Sequence, residues 1–235
     1  MRTARHVHGH DGMGDLGLPA PTRVPVDVDA VTLLRREILA SPRPVTLIPT
    51  APATNIALLL RTHPEVTRNI ERIVFMGGAV ATGNATPVAE FNVWHDPEAA
   101  AILLGAGVPV TMYGLDVFQR VIVPGPDVRR LRASTEPGTR LAGELLAHRG
   151  PATDESDPGG GLGDAGAVCA VIDPAGLTTH RLPSRSVWLP DRPAARPSST
   201  AAPASARPNS TGTPANSPWW TWGWTWMWHG TWSCT

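Results

Sequence analysis

The chain has 235 residues, of which 42% are hydrophobic and 17% charged, enough apolar material for one domain of ordinary size with its own core. Its 20 basic residues, every one an Arg, balance 20 acidic ones, which removes the electrostatic case for a nucleic-acid partner or an acidic membrane surface. Cys169 and Cys234 make neither a disulfide framework nor a zinc site, and no apolar run approaches the ~18 residues of a membrane span.

The opening stretch, Met1-Arg-Thr-Ala-Arg-His-Val-His, lacks the apolar centre of a secretory leader, so the expected compartment is the cytoplasm. His6, His8 and His10 then alternate in a Gly-rich segment with Asp11 and Asp15. They read either as exposed loop histidines or as a transition-metal site. Asp27-Val-Asp-Ala-Val-Thr-Leu-Leu-Arg-Arg-Glu-Ile-Leu-Ala begins with acid and stops at Ser41-Pro42, which predicts a helix. Val45-Thr-Leu-Ile is a short β-branched run and predicts a buried strand. Thr54 to Arg61 predicts a helix that ends before Pro64, and Arg72 to Met76 a strand running into Gly77-Gly78. Asp96 to Leu104 predicts a helix with Pro in its first turn and Gly105 beyond its end. Val110-Thr-Met-Tyr-Gly is a further strand, and Asp164 to Ile172 a further helix. Strands alternating with helices predict an α/β fold, a mainly parallel sheet with helices on both faces. Ligands collect at the carboxyl ends of such strands, which directs attention to the loops after Ile48, Met76 and Tyr113.

Each of those regions carries polar residues in an apolar context. Thr54 and Asn55 stand at a helix start, where Thr54 is either an N-cap or a binding residue. After Met76 a long loop holds Asn84, Glu90 and Asn92. If 90–93 is extended, Glu90 and Asn92 share one face, and a carboxylate with nearby amides both accepts from and donates to hydroxyls, as a sugar requires. A solvated surface loop is the alternative, although long loops in compact domains are more often functional. Asp164 follows Gly159-Gly-Gly-Leu-Gly, as an N-cap or as a carboxylate ligand for a hard cation.

The text changes character at about residue 186. Beyond it, Pro, Ser and Ala dominate without apolar periodicity, and seven of the nine Trp lie between Trp219 and Trp232. Read literally, that alternation is a strand with a Trp face. The more economical expectation is a shifted reading frame, since Thr-Trp repeats read one base out of register give Asp alternating with Leu, Val or Met. The expected organisation is therefore a domain over 1–185, incomplete at its N-terminus, and a disordered or frame-shifted tail over 186–235.

Several stretches together resemble the inosine-uridine-preferring nucleoside hydrolase family. They are His8-Gly-His-Asp-Gly-Met-Gly-Asp, Pro52-Ala-Thr-Asn-Ile-Ala, Ile73-Val-Phe-Met-Gly-Gly-Ala and Gly114-Leu-Asp-Val. The most distinctive is Asn84-x-Thr-Pro-x-Ala-Glu-Phe-Asn-x-x-x-Asp-Pro-Glu-Ala-Ala. The resemblance implies hydrolysis of the N-glycosidic bond of a ribonucleoside through an oxocarbenium-like state, with Ca²⁺ as cofactor. It implies that Asn84, Glu90 and Asn92 grip ribose hydroxyls and that the Thr54 main-chain carbonyl and Asp164 are calcium ligands. The family's D-x-D-x-x-x-D-D motif has no counterpart before His6, and Gly163-Asp164 stands where many members have His-Asp. His8 is then the remaining candidate for the leaving-group acid. Little or no turnover is expected from these residues alone, and the alternative reading is an inactive riboside-binding remnant. The expected partner is a ribonucleoside, with no nucleic acid and no membrane, and with a homo-oligomer left open.

Overall fold

The structure is a computed structural model that describes residues 4–148, 160–182 and 220–223. Its first elements are helix α1 (Arg5–His8), helix α2 (Ala30–Ala40), strand β1 (Val45–Leu47), helix α3 (Thr54–Thr62), a 3-10 turn (Pro64–Asn69) and strand β2 (Ile70–Met76). Next come α4 (Phe91–His95), α5 (Pro97–Leu104), β3 (Val110–Tyr113), α6 (Leu115–Phe118), β4 (Ile122–Val123), α7 (Gly125–Arg132) and α8 (Pro137–Ala147). The last are β5 (Gly160–Gly161), α9 (Asp164–Ile172), a 3-10 turn (Pro174–Gly176), β6 (Thr179–Leu182) and β7 (Trp220–Gly223). Two compact units result, one from the described residues of 28–117 and 163–235, the other from those of 1–27 and 118–162.

The larger unit is the expected α/β fold. Strands β1, β2 and β3 lie parallel and adjacent, with Val45 opposite Ile70, and Ile73 to Met76 opposite Val110 to Tyr113. Parallel neighbours need crossover connections, and α3 with its 3-10 turn, then α4 and α5, supply them. Strand β7 continues the sheet parallel to β3, and β6 closes it antiparallel to β7. The rest of the Trp-rich run lies outside the described residues.

Along β2, the consecutive residues Ile73, Val74, Phe75 and Met76 are all buried. Successive strand residues face opposite ways, so this end of the sheet is covered on both faces. Ile38 of α2, Leu60 of α3 and Leu103 of α5 join Phe75 and Met112 in one apolar cluster, each such side chain contributing roughly 1.5–3 kcal/mol by leaving water. Helix α2 begins at Ala30, three residues after the first acidic position, because Asp29 is the residue that accepts from the Val31 and Thr32 amides, each at 3.0 Å. Helix α9 approaches β3 closely because Gly166 has no side chain: a Cβ there would lie 2.2 Å from the Tyr113 hydroxyl oxygen. Burial at this contact pushes the Tyr113 phenol well above its ordinary range.

In the smaller unit, α7 and α8 pack against one another where Gly143 meets the backbone of Arg132, and Arg132 pairs with Glu144 at 3.1 Å. Ile122 and Val123 pair antiparallel with Gly161 and Gly160. The Gly-rich opening folds into a tight loop in which Asp11 accepts from the Met13 and Asp15 amides at 2.7 and 2.9 Å. Asp15 in turn accepts from His10 and Asp11. Among the described residues, no helix is long and apolar enough to cross a membrane.

Candidate functional site

The site grows from the carboxyl ends of β1, β2 and β3. Beyond Met76 and Tyr113 the strands stay zipped for two more bonds. Gly77 donates to the Tyr113 carbonyl at 3.2 Å, and Leu115 to the Gly78 carbonyl at 3.0 Å. Gly114 permits this approach, since a Cβ would meet the Gly78 oxygen at 3.1 Å. Gly78 then turns with a φ of +76°, a region that favours glycine. The loop runs out to a small reverse turn in which the amides of Asn84, Ala85 and Thr86 all converge on the Ala89 carbonyl.

Glu90 closes the loop. It is 2% exposed, and its carboxylate accepts from three backbone amides, those of Gly78 at 2.9 Å, Asn92 at 2.9 Å and Val93 at 3.1 Å. Two of these are the orphan donors of the first turn of α4, so Glu90 caps that helix while holding the Gly78 turn. Burial raises its pKa against the opposing pull of the three amides, and the charge of Asp164 raises it further. The expected extended segment at 90–93 is therefore corrected. Phe91 to His95 is a short helix, set by this cap, with Phe91 in tilted ring contact with Trp94 and His95 at 6.0 and 5.6 Å between centroids.

Asn84 and Asn92 are tied to the same frame by half of each amide. The Asn84 Oδ1 accepts from the Phe91 amide at 2.8 Å, and the Asn92 Nδ2 donates to the Met76 carbonyl at 3.1 Å. Among the described residues the Asn84 Nδ2 meets no acceptor and the Asn92 Oδ1 no donor. One donor and one acceptor are left available. Asn92 also lines a small cleft, together with Pro49, Ala51, Ala53 and Met76.

Thr54 is the first residue of α3 and Ala53 its cap. Its hydroxyl donates to Asp96 Oδ2 at 2.5 Å, while Asp96 Oδ1 caps α5 through the Ala99 amide at 2.9 Å. Asp96 thus joins two helix starts. Asp164 opens α9 behind Gly163, whose position provides no side-chain cap. His8 lies exposed in the smaller unit, at the end of α1, where its carbonyl accepts from Gly14 at 2.8 Å. Among the described residues no three His, Cys, Asp or Glu side chains gather as a metal site would require. In sequence, Asp96 stands out as a helix start and as part of the Asn84–Ala100 family run, without a binding role, and Asp116 has no role although it sits in the Gly-Leu-Asp-Val run.

A parallel sheet with helical crossovers and polar side chains beyond its strand ends defines an α/β protein. The chain belongs to the inosine-uridine preferring nucleoside hydrolase family, whose model matches residues 1–194. Over 146 residues it is 49% identical to the pyrimidine-specific ribonucleoside hydrolase RihA of Shewanella sp. (strain ANA-3), covering 62% of this chain and 46% of that protein. The chain spans about half the length of the curated relatives it matches. Among solved structures, a purine-preferring ribonucleoside hydrolase from Gardnerella vaginalis superposes with a TM-score of 0.75 at 28% identity, over 93% of this chain and 67% of that one. A plant nucleoside hydrolase superposes with a TM-score of 0.77 at 24% identity, over 96% and 71% of the two chains. The plant likeness bears on the fold alone.

Proposed function

We propose that this chain carries the ribose-holding part of a ribonucleoside hydrolase, whose reaction adds water across the N-glycosidic bond to give ribose and a free base. The observation that carries the reading is the unused amide capacity at Asn84 and Asn92, beside a buried Glu90 held by three backbone amides. The Asn84 Nδ2 would donate to one ribose hydroxyl and the Asn92 Oδ1 accept from another. Glu90 has about four acceptor positions, of which three hold backbone amides, and the fourth would accept from the sugar. The 49% identity to a pyrimidine-specific relative favours a pyrimidine ribonucleoside.

Calcium belongs to this reading only as the family implies it. Ca²⁺ takes six to eight oxygen ligands. The Thr54 carbonyl and Asp164 would offer two, and the described residues hold no cluster to complete the shell. The residues present do not fit the ion, and no step here is derived through it. That same shortage favours a second reading, a riboside-binding protein without turnover.

One experiment separates the readings. Uridine binding and reducing-sugar release are measured with the full chain, alongside Asn84→Ala and Asn92→Ala. Binding that weakens about tenfold in either variant, as expected for a lost hydrogen bond, supports the ribose grip. Release at ~1 per second or faster assigns hydrolysis to this chain by itself, whereas binding without release assigns the second reading. No binding of uridine, cytidine or inosine overturns both.

A further inference from the structure

We infer that Asp116 is a positioning residue that sets the place of Asn84, an inference that rests on the ribose-holding reading. The paired ends of β2 and β3 follow a parallel ladder through Met76 and Tyr113, then through the Gly77–Tyr113 and Leu115–Gly78 bonds. There the β3 chain turns into α6 and can offer no further carbonyls in register. The Asp116 side chain takes over. Its Oδ2 accepts from the Val80 amide at 2.6 Å and its Oδ1 from the Ala81 amide at 3.0 Å. One carboxylate thereby gathers two consecutive amides beyond the end of the ladder, and the charge strengthens both bonds.

No Arg or His among the described residues lies within ion-pair distance of Asp116, so its charge serves these two backbone dipoles. The loop between Gly77 and Glu90 is consequently held on both limbs. Asp116 fixes the outgoing limb at Val80 and Ala81, and Glu90 fixes the returning limb to Gly78. Asn84 rides on the turn between the two anchors, three residues beyond Ala81. Loss of the Asp116 carboxylate removes both of these amide bonds from the outgoing limb while leaving the Glu90 and Asn92 bonds in place.

The test uses the full chain with Asp116→Ala, Asp116→Asn, Asn84→Ala and the Asp116→Ala/Asn84→Ala double variant. Amide exchange at Val80 and Ala81 is read by NMR without ligand, and uridine affinity is read by titration. The expected result is exchange at least about tenfold faster at both amides in Asp116→Ala. Asp116→Asn keeps one acceptor oxygen and restores protection at one of the two. Uridine affinity falls about tenfold in Asp116→Ala, but the double variant binds no worse than Asn84→Ala, because both changes remove one contact. Unchanged exchange at Val80 and Ala81 overturns the inference, and so does an additive double variant. If the wild-type chain binds no uridine, the ribose-holding reading fails, and the exchange data still decide whether Asp116 anchors the loop.

Discussion

Glu90 in the larger unit and Asp11 in the smaller one perform the same task, a carboxylate accepting from more than one backbone amide to shape a Gly-containing turn. Their titrations move in opposite directions. Glu90 is buried, and the cost of desolvating its charge outweighs three amide bonds, so its pKa rises. Asp11 is exposed, and the Met13 and Asp15 amides hold its pKa below the ordinary value. The contrast teaches that hydrogen bonding alone does not decide the ionisation of such a clamp; the solvent around it does.

The strongest way to break the comparison is to remove each clamp. Glu90→Ala orphans three amides in a dry environment, at about 1–3 kcal/mol for each donor left unpaired. A loss of about 3 kcal/mol or more is expected by urea denaturation. Asp11→Ala lets water replace the carboxylate and should shift the same midpoint far less; equal shifts would erase the distinction. Next in size is Gly166→Ala, which drives a Cβ into the buried Tyr113 hydroxyl and should cost about 1–3 kcal/mol by overpacking. Thr54→Val removes one hydroxyl bond to Asp96 and should cost about 1 kcal/mol, read as a small change in midpoint without a change in slope.

The subtlest prediction concerns pH. The folded-state pKa of Glu90 lies above its unfolded value near 4.5. Its contribution to stability is therefore complete below that value and is lost as pH rises through the folded-state pKa. Asp11 has a folded-state pKa below 3.8, so its contribution is present above that value and is lost as pH falls. Denaturation of the wild type, Glu90→Gln and Asp11→Asn across this range should show the first variant without the falling slope on the alkaline side. The second should lack the fall on the acid side. Parallel profiles for all three proteins would contradict the assignment.

Much of the larger unit was legible from residues alone. Apolar β-branched runs bounded by Gly and Pro announce β1, β2 and β3, and Asp96-Pro97 with Gly105 brackets α5, with Asp96 as its cap. Helix α9 occupies the span read for it, Asp164–Ile172. Helix α4 was missed because Phe91, Val93 and Trp94 favour strands, while the deciding term, a carboxylate on backbone amides, leaves no trace in local propensity. Helices α7 and α8 were passed over; the Arg-rich text of α7 buries Val128 alone, so it offers little apolar material to read. For the site, the order Asn84, Glu90, Asn92 was readable through the family pattern. What each side chain holds was not, since Gly78, Val80, Ala81 and Val93 act through amides that every residue but proline possesses.

In the proposed function, Asn84 and Asn92 present a donor and an acceptor to one pentose. A crystal of the full chain grown with uridine tests it most directly. The expected result is sugar density with one hydroxyl on the Asn84 Nδ2 and another on the Asn92 Oδ1, and with Glu90 still holding Gly78. Ordered sugar bound elsewhere, with both amides facing solvent, would contradict it.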